Sequence, residues 1–274
     1  MKPEKINLDL VKKISIILFI GLSIWWVVIS LFLKNENLDA NLFWAASYQL
    51  MALFGVIFGL IIAKSWGGLK SVVGKTIIFF SLGLLLQVFG QTIFSFYNLV
   101  LKVEIPYPSL ADVGYFLSIP FYAYATILLG RASGAGLSLK SAHKKILAVV
   151  IPLIILIASY MIFLQGYEFD WSNPLRVFLD FGYPLGQAFY VSLAILVFIL
   201  SKNFLGGLMR PKVLLILLAL AVQYIADYNF LYQAYNETWV NGGYGDYIYL
   251  ISYFLMTFAL INLGTLFKDI KENK

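Results

Sequence analysis

The sequence predicts an all-α, polytopic membrane protein of eight transmembrane helices, and three observations lead there. Hydrophobic residues make up 61% of the 274 positions and charged residues only 12%, about half the share of roughly 25% found in soluble domains. Apolar runs approach or exceed the ~20 residues that a helix needs to cross the hydrocarbon layer, and the mean hydropathy is +0.85. Those runs lack the alternation of a membrane barrel, so the spanning elements are helices, whose backbone polar groups are satisfied within each segment.

The spans follow in order along the chain. The first, 12–33, has an apolar core longer than the ~7–15 residues of a secretory leader and no small-x-small cleavage site after it, so it is expected to stay attached. The next two, 41–63 and 76–99, follow after short links. The fourth, 111–130, begins at Ser109-x-x-Asp112, the pattern of a capping box, with Pro106 and Pro108 holding its approach extended. Spans five to eight are 146–165, 175–200, 212–235 and 246–267. The sixth opens on Asn173 as cap and Pro174 at the first helical position, and the eighth opens after "NGGYG" at Asp246.

Basic residues set the orientation, because Lys and Arg gather on the cytoplasmic side. Lys2, Lys5, Lys12 and Lys13 lie at the amino end, and Lys268, Lys271 and Lys274 at the carboxyl end. Lys64, Lys70, Lys75, Arg131, Lys140, Lys144, Lys145, Lys202, Arg210 and Lys212 occupy loops on the same side. Only Lys34, Lys102 and Arg176 fall opposite. Both termini are therefore expected in the cytoplasm of a multi-pass protein of the cell membrane. The net charge of +6 and pI near 9.2 express that topology and not an affinity for nucleic acid.

Without cysteine there is no disulfide, thiolate nucleophile or cysteine metal site. The single histidine, His143, stands in the basic loop "KSAHKK" and reads as solvated. Neither a metal nor another cofactor is expected. No nucleophile–base pair or phosphate loop is evident, "SWGGLK" and "FLGGLMRPK" reading as cytoplasmic turns, so the chain is not expected to be an enzyme.

The halves carry a self-similarity. "LLLQVFGQTIFSFY" aligns with "LALAVQYIADYNFL", pairing Gln87 with Gln223, Gln91 with Asp227 and Phe94 with Phe230. "ADVGYFL" aligns with "GDYIYLI", pairing Asp112 with Asp246 and Tyr115 with Tyr249. "SYQLMALFGVIFGLIIAK" aligns with "LGQAFYVSLAILVFILSK", pairing Gln49 with Gln187 and Lys64 with Lys202. The expectation is a 4+4 parallel internal repeat, with a cytoplasmic tail 1–10, four-helix units 11–135 and 136–267, and a tail 268–274.

Acids and phenols supply the candidate site. Asp112 and Asp246 stand at helix starts, where a carboxylate serves orphan N–H groups and faces the positive helix end; Asp180 has Arg176 one turn before it. Asp227 is different. It lies about eight residues from the outer end of its span, roughly 12 Å deep at ~1.5 Å per residue, with no basic residue at that depth. An intramembrane acid is a functional hypothesis by default, with hydrogen-bonded helix packing as the alternative. Most of the eighteen tyrosines fall in outer loops or outer halves of spans, and none in a cytoplasmic loop or tail. Tyr115, Tyr228, Tyr249, Gln91, Gln187 and Gln223, with Asp112, Asp180, Asp227 and Asp246, form the candidate ligand-binding set. Tyr97, Tyr183, Tyr232 and Asn98 are expected beside them around a cavity opening outward. Pro120 and Pro184 should kink their helices there. Gly55, Gly59, Gly83 and Gly90 read as close-packing positions.

The run Pro106-x-Pro108-Ser109-x-Ala111-Asp112-x-x-Tyr115 resembles a signature in membrane-embedded N-terminal regions of bacterial and archaeal signalling proteins, where a multi-helix module precedes diguanylate cyclase, PAS or histidine kinase domains. Where that family continues Tyr-Pro-Leu, this chain has Ile119-Pro120-Phe121. The resemblance implies a signal-receiving membrane module. About seven residues follow the last span, so an output domain is expected on a separate partner. The expected function is a sensor or receptor-like module that binds a small ligand from the extracytoplasmic side and signals to that partner. A proton-coupled transporter of a small polar or cationic solute, with Asp227 as proton carrier, is the second reading. A structural subunit of a membrane complex is the third. The bilayer is the expected environment, and a homo-oligomer remains open.

Overall fold

The computed structural model describes residues 7–33, 38–133, 141–201, 210–236 and 238–272. Lys2, Lys5, Lys34, Lys140, Lys202, Lys274 and most of the "FLGGLMRPK" turn lie outside the described residues. Among the described residues every element is helical: α1 (Leu8–Val28), α2 (Leu38–Ser47), α3 (Gln49–Ser65), α4 (Val72–Ser95), α5 (Leu110–Ala132), α6 (Ala142–Phe163), α7 (Pro174–Ser201), α8 (Arg210–Tyr235) and α9 (Tyr244–Glu272). With α2 and α3 counted as one, eight helices are long and apolar enough to cross a membrane, and each coincides with an expected span.

Local chemistry sets where these helices start. Asn7 accepts from the Leu10 N–H and Ser71 from the Gly74 N–H. Ser109 and Asp112 form the full capping box, and the Asn173 side chain accepts from the Arg176 N–H. In lipid these caps matter more than in water, because an unserved N–H has no solvent to turn to.

Three irregularities were not visible in the hydropathy pattern. The ladder breaks at Tyr48, where the Met51 N–H donates to the Tyr48 carbonyl across three residues. Five-residue-spaced turns extend α1 over Ile29–Leu33 and α4 over Phe96–Leu101. The second ends at Lys102, whose φ of 54° lies in the left-handed region.

Packing arranges six helices in a closed circuit of neighbours: α3 against α4, α4 against α5, α5 against α7, α7 against α8, α8 against α9, and α9 back against α3. Helices α1 and α6 stand outside it, against α9 and α7 respectively. In their most apolar stretches only 17% of α1 and 6% of α6 is buried against protein, so most of their apolar surface is left uncovered by the described residues. Leu8, Ile62 and Gly264 meet at one end of the bundle. Trp26 and Gly242 meet at the other, the indole Nε1 donating to the glycine carbonyl at 3.0 Å.

Small residues let the helices approach. A Cβ on Gly83 would lie 2.4 Å from the Tyr122 ring, and one on Gly90 2.7 Å from Tyr115. Aromatic rings fill the opposite half of the seam: Trp26 stacks on Tyr247 at 4.3 Å, Tyr48 on Tyr253 at 5.9 Å, and Tyr249 lies 6.3 Å from Tyr253. Offset and tilted ring pairs of this kind add about 0.5–1.5 kcal/mol beyond area burial.

Candidate functional site

Among the described residues the candidate side chains divide into separate groups. Their polar atoms are largely bonded to one another, which reflects the cost of leaving a polar group unserved in an apolar interior.

The first group is at one rim of the bundle, where α7 meets the segment leading into α5. Asp112 accepts the Ser109 N–H at 2.7 Å and, through its second oxygen, the Tyr183 hydroxyl at 2.8 Å. It is a cap and a cross-helix contact at once. Asp180 accepts the hydroxyls of Tyr107 at 2.8 Å and Tyr167 at 2.7 Å. Arg176 Nε stands 3.7 Å from Asp180 and its guanidinium 5.9 Å from the centre of the Tyr107 ring. With Arg176 exposed and Asp180 only partly buried, this ion pair is worth about 1 kcal/mol or less, so the phenols carry more of the geometry than the charge does. Asp170 accepts from the backbone and hydroxyl of Ser172, which hold its carboxyl below the usual range.

The hydrogen bond to Asp180 pushes the Tyr167 phenol up to about 12, with a smaller contribution from burial. A phenol with a raised value gives its full contribution below the ordinary value near 10 and loses it as pH rises through the folded one. Ultraviolet titration of Tyr167, isolated by difference against Tyr167→Phe, should therefore show ionisation near 12. In Asp180→Asn it should return toward 10. An unchanged midpoint in that variant would remove Asp180 as the cause.

The second group is interior. Asp227 is buried at 8% exposure and accepts from Gln223 Nε2 at 3.0 Å, the Tyr249 hydroxyl at 2.9 Å and the Tyr190 hydroxyl at 3.4 Å. Gln223 in turn accepts the Ser252 hydroxyl at 2.8 Å. The acid thus ties α8 to α9 and α7.

A third, related set joins α4 to α5: Gln87 Nε2 donates to Ser118 at 2.8 Å, and the Tyr115 hydroxyl donates to Gln91 Oε1 at 2.7 Å. Gln91 Nε2 reaches the Ala45 carbonyl, and Tyr253 donates across the bundle to Gln87 at 3.2 Å. Asp246, buried in the first turn of α9, accepts the Gly242 N–H at 2.7 Å and lies near the Tyr48 phenol.

Tyr228 and Gln187 belong to none of these three groups. Tyr228 lies against Tyr224, their ring centres 4.2 Å apart, on the side of α8 toward α6. Gln187 is buried on α7, and its Oε1 has no hydrogen-bond partner among the described residues. Tyr232, expected in the cavity, is 61% exposed. Near Pro184 the Ser159 hydroxyl from α6 donates to the proline's own carbonyl at 3.0 Å, a bond between α6 and α7.

Sequence reasoning missed Tyr48, Tyr107, Tyr167, Tyr190, Tyr253, Ser118 and Ser252. One signal was present: the register pairing Asp112 with Asp246 also pairs Ser118 with Ser252. Among the described residues no group of histidine and acid side chains is arranged to hold a metal ion. No protein-family model, curated protein or solved structure matches the chain.

Proposed function

We propose that this chain is an integral membrane sensor or receptor-like module of two four-helix units, with both termini in the cytoplasm. It takes a small ligand from the extracytoplasmic side and signals to a separate partner. The ligand class is a small cation or amine rich in hydrogen-bond donors.

Recurring contacts support the two-unit reading. Gln87 with Ser118 has its counterpart in Gln223 with Ser252, and Tyr115 with Gln91 in Tyr249 with Asp227. The registers are those of the sequence repeat. Helix order in the closed circuit also maps onto itself when α3, α4 and α5 are exchanged with α7, α8 and α9.

One observation carries the functional reading. The acid that opens the last helix of each unit faces a phenol from the other unit: Asp112 accepts the Tyr183 hydroxyl, and Asp246 lies near the Tyr48 phenol. A donor-bearing ligand arriving at the rim competes with Tyr183 for Asp112, and with Tyr107 and Tyr167 for Asp180. Binding there exchanges contacts that join the units for contacts to ligand, which biases how they sit together. The resemblance of "PYPSLADVGY" to signal-receiving membrane modules lends the reading the same direction.

Transport is the second reading, favoured by Asp227 deep among the phenols and amides of the interior. The two separate in one set of measurements on the chain in proteoliposomes, using a panel of small primary and quaternary amines. Sensing predicts saturable binding that falls when Asp112→Asn and Asp180→Asn are combined, without uptake. Uptake abolished by Asp227→Asn would replace sensing by transport. Neither binding nor uptake would leave the structural-subunit reading.

A further inference from the structure

The rim around Asp180 holds a cation of its own. Arg176 stands one turn before the acid on α7, its Nε 3.7 Å from Asp180 Oδ2 and its guanidinium 5.9 Å from the centre of the Tyr107 ring. At 3.7 Å the pair is longer than a hydrogen bond. At 5.9 Å the ring contact lies at the edge of the range for a cation–π interaction, about 6 Å. Arg176 thus touches both a carboxylate and an aromatic face, and grips neither.

Asp180 has accepting capacity to spare. A carboxylate offers about four lone-pair positions, two on each oxygen. Tyr107 takes one on Oδ1 at 2.8 Å and Tyr167 takes one on Oδ2 at 2.7 Å. Among the described residues these are its side-chain hydrogen bonds, so each oxygen keeps one position, and a guanidinium fork answers that pattern with two parallel N–H donors. The Tyr167 phenol is held in place, packed edge-on against Phe169 at 5.4 Å and Phe181 at 5.1 Å. The Tyr107 ring is 42% exposed and reachable from outside the bundle. Charge points the same way: around these two phenols the acids are Asp112, Asp170 and Asp180, and the cation is Arg176.

We infer that the rim site takes a monosubstituted guanidinium ion, its fork closing on both oxygens of Asp180 and its plane lying on the Tyr107 ring, and that Arg176 is a tethered competitor displaced when that ligand arrives. The inference rests on the rim being the ligand site proposed above, and narrows a donor-rich cation to one shape. A planar cation uses the ring and the two acceptor positions together. An ammonium ion is a point charge with no face to stack, and a quaternary ammonium has no N–H to give. Because an exposed ion pair is weak, Arg176 competes without blocking.

The test uses the full chain in nanodiscs of neutral phosphatidylcholine, with methylguanidinium as the probe and methylammonium as its point-charge counterpart. Saturation-transfer NMR on each methyl resonance, against empty nanodiscs, reads the affinities. Wild type should bind methylguanidinium the more tightly. Arg176→Gln, a change at a side chain 56% exposed, should tighten methylguanidinium about two- to fivefold, the range of an exposed ion pair, and methylammonium less. Adding Asp180→Asn should abolish that gain, and Tyr107→Leu should shrink the preference for guanidinium over ammonium. Equal tightening of both ions in Arg176→Gln overturns the inference, since loss of a nearby positive charge then accounts for it. So does an unchanged methylguanidinium affinity. If methylammonium binds as well as methylguanidinium and both are lost when Asp112→Asn and Asp180→Asn are combined, the guanidinium assignment falls and the rim reading stands. Binding of neither ion to any variant removes both.

Discussion

Asp227→Leu is expected to lower the unfolding free energy by about 2–5 kcal/mol. The lower figure follows from two interhelical hydrogen bonds at ~0.6 kcal/mol each in a bilayer and one within α8 at about 0.5–1.5 kcal/mol, and the upper from about 1–3 kcal/mol for each buried donor left unpaired. The donors at risk are Gln223 Nε2 and the hydroxyls of Tyr249 and Tyr190. Tyr190 and Tyr249 arrive from different helices, and neither ring can turn to water: Tyr190 is 1% exposed, and Tyr249 is packed against the core. Asp227→Asn keeps one acceptor oxygen and should cost about 1 kcal/mol, near the net worth of one hydrogen bond. Unfolding in mixed micelles of increasing denaturing detergent reads both. The order expected is wild type, then Asn, then Leu. A leucine variant with the wild-type midpoint would mean that the carboxylate does not hold α7, α8 and α9 together.

The spans were legible because the bilayer leaves the chain few choices: a run of ~20 apolar residues in lipid is a helix or it is misplaced. The Ser109–Asp112 box was legible for a related reason, since both partners lie within one turn and no other part of the chain is needed. The Gln223–Asp227 bond follows from the same local spacing. Tyr190 and Tyr253 were not legible. Each sits mid-helix, where spacing cannot tell an inward phenol from a lipid-facing one, and only the closing of the circuit brings Tyr253 to Gln87 and Tyr190 to Asp227. The division of the candidate residues into separate hydrogen-bonded groups was not legible for the same reason. Gathering acids and phenols on one side of the membrane is readable from the sequence. Whether they face a ligand or each other depends on distances of one or two ångströms between helices, which the sequence states only through its glycines.

Gly114→Val is expected to be the most damaging single change in the bundle. A Cβ on Gly114 would lie 2.5 Å from the Leu86 carbonyl oxygen and 2.7 Å from the Gly90 nitrogen. Both opposing atoms are backbone, so no rotamer change relieves the clash and α4 must move away from α5. Overpacking a core ordinarily costs about 1–3 kcal/mol, and this site stands at the upper end or beyond because its neighbours cannot yield. Separation also breaks what the crossing holds: Tyr115 lies over Gly90 and donates to Gln91, and Gln87 reaches Ser118 one turn further. Gly83→Ala provides the contrast. Its new Cβ would meet the Tyr122 ring at 2.4 Å, a side chain that can tilt, so the loss should be smaller. The same detergent titration should place Gly114→Val well below Gly83→Ala. Equal midpoints would show that the contact between α4 and α5 is looser than 2.5 Å, and the hydrogen bonds of Gln87 and Gln91 would then have to be held by something other than this crossing.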